Sequence, residues 1–155
     1  MSSQGSISRE LYQTSLVDCT LAVYKPTTAQ GSYITPTPGY STSFLFVRTP
    51  VGVEVKLPPL TGVVTNDTLP TPAAAVIHYI GIIPYAFRPV VTLVMSAVAT
   101  VAASNATVFV VYNANGDLTI SSTVAGTGTF AAAAAFALGP ISQSYSSSSI
   151  LEITQ

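Results

Sequence analysis

His78 is the only histidine and Cys19 the only cysteine among 155 residues, so acid–base, thiol or metal chemistry would have to be built around one of them. A Ser-His-Asp triad or an imidazole-ligated metal would centre on His78, in the stretch AAVIHYIGI. Strand alternation there groups His78 with Val76 and Ile80, opposite Ile77 and Tyr79, which is the setting of a structural or interface histidine. Cys19 lies beside Asp18, Thr20 and Leu21, none of which is a base that would activate a thiol, and it is read as a small core residue. A single cysteine excludes an internal disulfide and a multi-cysteine metal site. The acidic residues stand in separate segments: Asp67, Asp117 and Glu152 could meet only through folding, and no Ca-loop or paired-carboxylate spacing joins them. GTGTF at 126–130 lacks the Gly-Lys-Ser/Thr that completes a phosphate loop. No catalytic residue, metal ligand or cofactor is therefore assigned, and the chain is not expected to be an enzyme.

Composition points to surfaces. Charged residues are 7% of the chain and apolar ones 48%, against about 25% charged in ordinary soluble domains. With five basic and six acidic residues scattered singly, net charge is -1. No basic stripe is available for phosphates, so nucleic acid is not an expected partner. Little electrostatic repulsion keeps such a chain from its neighbours, which favours assembly with copies of itself. The uncharged run 89–112 has the length of a membrane span, yet Ser96, Thr100, Ser104, Asn105 and Thr107 interrupt it and Val and Thr dominate. It is read as two strands turning at SNAT, 104–107, with no membrane insertion. The first 15 residues hold no apolar signal core.

The elements that would carry any site are short strands. Candidates are 21–24, 41–49, 53–57, 73–82, 90–101, 106–113, 117–123, 129–138 and 147–153, separated by Gly, Pro and Asn signals. In 41–49, Phe44 and Phe46 share one face and Leu45 and Val47 the other. In 53–57, Val53, Val55 and Leu57 oppose Glu54 and Lys56, the pattern of a strand wet on one face. The breaker-rich stretches 25–40 and 58–72 are read as loops. The alanine run 131–135 is read as strand, placed where small side chains let another surface come close. Asn115 and Gly116 supply the positive φ of a reversal between 106–113 and 117–123. The expected fold is an all-β, antiparallel jelly-roll-like sandwich of about eight strands over residues 18–155, preceded by an arm, 1–17.

Arg88 is the one charge between Thr68 and Gly116, and a guanidinium among apolar strands needs carbonyls or an acid, with Asp67 or Asp117 as candidate partners. Tyr33, Tyr40 and Tyr85 lie in loops and offer rings for stacking on a sugar. The sequons at Asn66 and Asn105 are read as chance in a Thr-rich chain.

Residues 80–120 resemble the β-rich C-terminal heads of bacteriophage fibres and receptor-binding proteins. The resemblance is carried by the apolar lead into Pro84, the corner Phe87, Arg88 and Pro89, the strand that follows, and the apolar strand closed by Asn115, Gly116 and Asp117. It implies a jelly-roll-like head, a homotrimer and a place on a virion. No shaft precedes this head and the first 70 residues are loop-rich, which favours a capsid decoration, cement or spike protein over a receptor-binding fibre head that recognises host-surface carbohydrate. Partners would then be the major capsid or other virion proteins, bound through arm residues Ile7, Arg9, Leu11 and Leu16, with a host glycan as the alternative partner.

Overall fold

The computed structural model describes residues 20–23, 35–37, 39, 43–64 and 74–150. Among them are eleven strands, all paired antiparallel, in two sheets. Strands β1 (Thr20–Val23), β3 (Ser43–Thr49), β4 (Gly52–Leu57) and β11 (Ile141–Ser146) form one sheet in the order β1-β3-β4-β11. The other contains β2 (Thr35–Pro36), β5 (Leu60–Val63), β6 (Ile77–Tyr79), β7 (Leu93–Val101), β8 (Ser104–Tyr112), β9 (Leu118–Ser121) and β10 (Ala135–Leu138), in the order β2-β5-β10-β7-β8-β9-β6.

A bent ribbon joins the sheets. Leu57 pairs with Ile141 in one sheet and Leu60 with Leu138 in the other, with two residues between them on each strand. Register is thus kept across the bend, and Pro58 falls opposite Pro140 and Pro59 opposite Gly139. Three prolines remove ladder donors at one level, so the ribbon can leave the first sheet and enter the second there. The result is an antiparallel all-β body curled toward a half-barrel. Beyond the bend, β7 and β11 belong to different sheets and share no ladder. Gln143 spans them: its Nε2 donates to the Ser96 carbonyl at 3.3 Å, and its Oε1 accepts the Tyr112 hydroxyl.

The inward faces follow the alternation. Phe44 and Phe46 are fully buried, as are Val53, Val55 and Leu57 to within 3%, while Lys56 is exposed and Glu54 half-buried. They meet Ile77, Tyr79, Val108, Val110, Tyr112, Leu118, Ile120, Phe136 and Leu138 from the second sheet in one cluster. Each large side chain withdrawn from water there contributes about 1.5–3 kcal/mol.

Several sequence expectations are corrected. Eleven strands replace about eight, because 58–72 contains β5 and the serine-rich ISQSYS forms β11. The turn expected at SNAT lies two residues earlier, on Ala102 and Ala103 (φ 48° and 66°), since Val101 pairs with Ser104 and Thr100 with Asn105. Asn105 consequently sits on an exposed strand position rather than in a loop. The alanine run is no strand before Ala135: it turns through Ala133 (φ 58°), with the Ala134 amide donating to the Ala131 carbonyl, and residues 131–133 face solvent. The strand expected at 73–82 shortens to Ile77–Tyr79, and 147–149 is a 3-10 turn. The first strand expected at 21–24 is β1, one residue earlier at Thr20–Val23, and the hairpin at Gly116 (φ 101°) forms between β8 and β9.

GTGTF is structural. The loop 122–129 folds back over β8 and β9, burying the outward-pointing Val111, Thr119 and Ser121. Ser121 Oγ and the Ser122 amide both donate to the Gly128 carbonyl, and the Gly128 amide donates to Thr123 Oγ1.

Candidate functional site

The sequence candidates that fall among the described residues converge on one end of the body. Between β6 and β7 the chain makes a 3-10 turn, Tyr85–Phe87, begun by Pro84, whose fixed φ of -59° suits a turn start. Every carbonyl from 83 to 87 accepts a hydrogen bond. Ile83 O takes Arg88 Nε at 3.0 Å, Pro84 O the Phe87 amide, Tyr85 O the Arg88 amide, Ala86 O Arg48 Nη1 at 3.2 Å, and Phe87 O the hydroxyl of Tyr145. Below it, Phe87 packs on Phe46 with ring centroids 6.5 Å apart. Bonds from β3 and β11 and the core contact hold this corner, so a side chain it presents has lost its freedom before any partner arrives.

What the corner presents is Tyr85, 55% exposed, with the Arg88 guanidinium carbon 5.6 Å from its ring centroid. Arg88 also packs against the Asn113-to-Gly116 turn, whose Gly116 carbonyl accepts the Ile83 amide. A Cβ added at Gly116 would stand 2.4 Å from Arg88 Nε and 2.7 Å from Nη2. Glycine is thus needed for the contact as well as for the φ of 101°. Ile80, Val90 and Val91, 46–61% exposed, lie in the same connection.

The partner expected for Arg88 is a carbonyl and not Asp117. That acid clasps the neighbouring turn: Oδ2 lies 3.1 Å from His78 Nε2 and 3.1 Å from Asn115 Nδ2, and Oδ1 accepts the Gly81 amide at 2.8 Å. His78 has no hydroxyl within hydrogen-bonding reach among the described residues, and its clasp ties β6 to the hairpin. No group of three His, Cys, Asp or Glu side chains that could hold a metal occurs among the described residues, and no helix among them is long and apolar enough to cross a membrane.

Phe87, Arg88, Asn115, Gly116 and Tyr85 are therefore brought together, with Pro89 next to Arg88 in the chain and bridged to Ile150. Ile7, Arg9, Leu11, Leu16, Tyr33, Tyr40, Asp67, Asn66, Glu152 and Cys19 lie outside the described residues. Sequence reasoning missed Arg48 and Tyr145, which reach the corner from strands distant in the chain. Phe44 and Phe46 on the inward face would have placed Arg48 on that face too, at its open end.

Tyr145 and Tyr112, with ring centroids 5.7 Å apart, give a pH prediction. Burial raises both phenols above their ordinary value of about 10, and for Tyr112 the nearby Tyr145 adds to the effect. The unfolded chain releases these protons first, so stability holds below about pH 10 and falls as pH rises through it. Urea midpoints measured between about pH 8 and pH 11 should show that fall. Tyr145→Phe should flatten it while costing about 1–3 kcal/mol at neutral pH, because the Phe87 carbonyl loses its donor.

A second surface is defined by what it lacks. The outer face of the seven-stranded sheet carries Thr61 and Val63 from β5, Ala135 and Ala137 from β10, Val94, Ser96, Val98 and Thr100 from β7, and Asn105 and Thr107 from β8. Val98 is 67% exposed and Val63 49%. No ionisable side chain interrupts these positions. The opposite sheet is grooved along β4 and β11, a hollow of about 490 Å³ bordered by Val51, Glu54, Ser142, Ser144 and Ser146. Comparison with known proteins adds no relative: no family model, no curated protein and no solved structure matches this chain.

Proposed function

We propose that this chain is a structural virion protein with a jelly-roll-like head, a capsid decoration, cement or spike component that associates with copies of itself and binds a viral shell. The observation that carries the proposal is the part of the seven-stranded sheet's outer face formed by β5, β10, β7 and β8, which bears no charge. Exposed antiparallel faces of free domains are broken by charges that oppose edge and face association, and a face of Val, Thr and Ala without them suits burial against a like surface. The low charge of the whole chain supports the same conclusion, and the virion setting and the three-fold order come from the resemblance of residues 80–120 to fibre heads. The arm residues Ile7, Arg9, Leu11 and Leu16 are assigned to shell contact on sequence grounds.

Val98→Asp tests the face. The substitution sits at an exposed strand position and should leave the thermal midpoint within about 2 °C. Placing a charge in the contact should shift the sedimenting species toward monomer, with about a tenfold weaker association. An unchanged oligomer would remove this face from the interface. The alternative reading, a receptor-binding fibre head for host carbohydrate, is supported by Tyr85 alone: an exposed ring on a locked corner is a platform on which a sugar can stack. A glycan array probed with the assembled oligomer decides it.

A further inference from the structure

We propose that the Tyr85–Arg88 corner is a carboxylate-binding contact for a partner protein, one that sets an acidic side chain among apolar neighbours. The starting point is an unspent valence. Arg88 uses Nε on the Ile83 carbonyl, and neither of its Nη nitrogens has an acceptor among the described residues. Arg48, the other arginine of this corner, spends Nη1 on the Ala86 carbonyl and has no acidic partner among the described residues. The one carboxylate of the adjoining turn, Asp117, already accepts bonds from Gly81 and Asn115 and stands beside His78. Two half-buried guanidiniums thus stand at this corner without a counter-charge among the described residues.

The fork is also fixed. Gly116 backs Arg88 at a distance that admits no side chain, and the Tyr85 ring centroid lies 5.6 Å from its guanidinium carbon. A guanidinium held in this way offers two parallel N–H groups in the geometry that a carboxylate takes bidentately, with the ordering entropy already spent in folding. In the same connection, Ile80, Tyr85, Val90 and Val91 are all at least 46% exposed. An arginine and a tyrosine in one connection with exposed aliphatic side chains have the composition of an interface hot spot. That composition favours a protein over an acidic sugar, whose hydroxyls would find few partners on three aliphatic side chains.

The proposal rests on the assembly reading only in taking the partner to be a protein. It concerns a surface separate from the outer sheet face, so Val98→Asp should leave it intact. The test is an NMR titration of the whole protein with the blocked peptide acetyl-Leu-Glu-Leu-amide, following the Arg88 Nε–H and the Tyr85 ring signals. Both should move in a saturable way, in the wild type and in Val98→Asp alike. Acetyl-Leu-Gln-Leu-amide should bind about tenfold more weakly or less. Arg88→Lys, which keeps charge but not the fork, should lose about tenfold in affinity for the acidic peptide. Should that variant unfold, Tyr85→Ala, at an exposed position, should weaken the same titration. Equal response to the Glu and Gln peptides, or no response at millimolar concentration, overturns the proposal. So does a tighter response to sialyllactose than to the peptide, which would make the site one for acidic sugars.

Discussion

Gly52→Ala is expected to lower the free energy of unfolding by about 3 kcal/mol, the largest loss for the smallest added group in this chain. A Cβ at position 52 would lie 1.9 Å from the Tyr145 carbonyl oxygen and 2.9 Å from the Ser146 Cα. Both are backbone atoms of β11, so no rotamer change relieves them. The end of the β4–β11 ladder would have to part, and with it the bonds by which Thr49 Oγ1 brackets the Gly52 amide and carbonyl. Gly139→Ala is the control, because nothing stands within 4 Å of its added Cβ and its cost should stay within about 0.5 kcal/mol. Urea unfolding of the two variants measures both. A loss below about 1 kcal/mol for Gly52→Ala would mean that β11 does not lie against β4 in this register.

Phe46→Ala should cost about 3–5 kcal/mol, from the lost burial of the ring and the cavity left behind. Phe46 is fully buried at the centre of β3 and supports Phe87 from below. The loss should therefore reach the surface: with Phe87 unsupported, the Tyr85 corner should loosen, and amide exchange at Phe87 and Arg88 should speed up beyond what global destabilisation explains. Val47→Ala, half-buried on the other face of the same strand, should cost under about 1 kcal/mol and leave that exchange alone. Equal costs at the two positions would contradict the inward assignment of the Phe44 and Phe46 face.

That assignment was open to sequence reasoning because the period-two pattern of β3 and β4 is undiluted: Phe44 and Phe46 go in, and Glu54 and Lys56 go out. The β8–β9 hairpin was equally legible, since Asn115 and Gly116 can take the turn at little cost. β11 was harder. Ile141, Gln143 and Tyr145 alternate with three exposed serines, but a polar strand in a serine-rich tail looks like a linker until β4 is laid beside it. β5 was hidden by the very prolines that bend the ribbon into its sheet. Ala102 and Ala103 carry no turn chemistry, and ladder pairing on both sides forces them into positive φ. The corner shows the same division. Phe87, Arg88, Pro89 and Gly116 could be read as a unit because they flank strands visible in the sequence. Arg48 and Tyr145 contribute across 38 and 58 residues, a distance that only the pairing of β3 with β4 and of β4 with β11 closes.

The uncharged sheet face then becomes the feature that most needs a neighbour. Across β5, β10, β7 and β8 none of the described residues places a charge on it, and the valines that lead it outward are no use to the core. Sedimentation equilibrium of the purified wild-type protein over a hundredfold concentration range addresses this directly. Trimers or larger species are expected, dissociating on dilution more readily in Val98→Asp. A single monomeric mass at every concentration would contradict it.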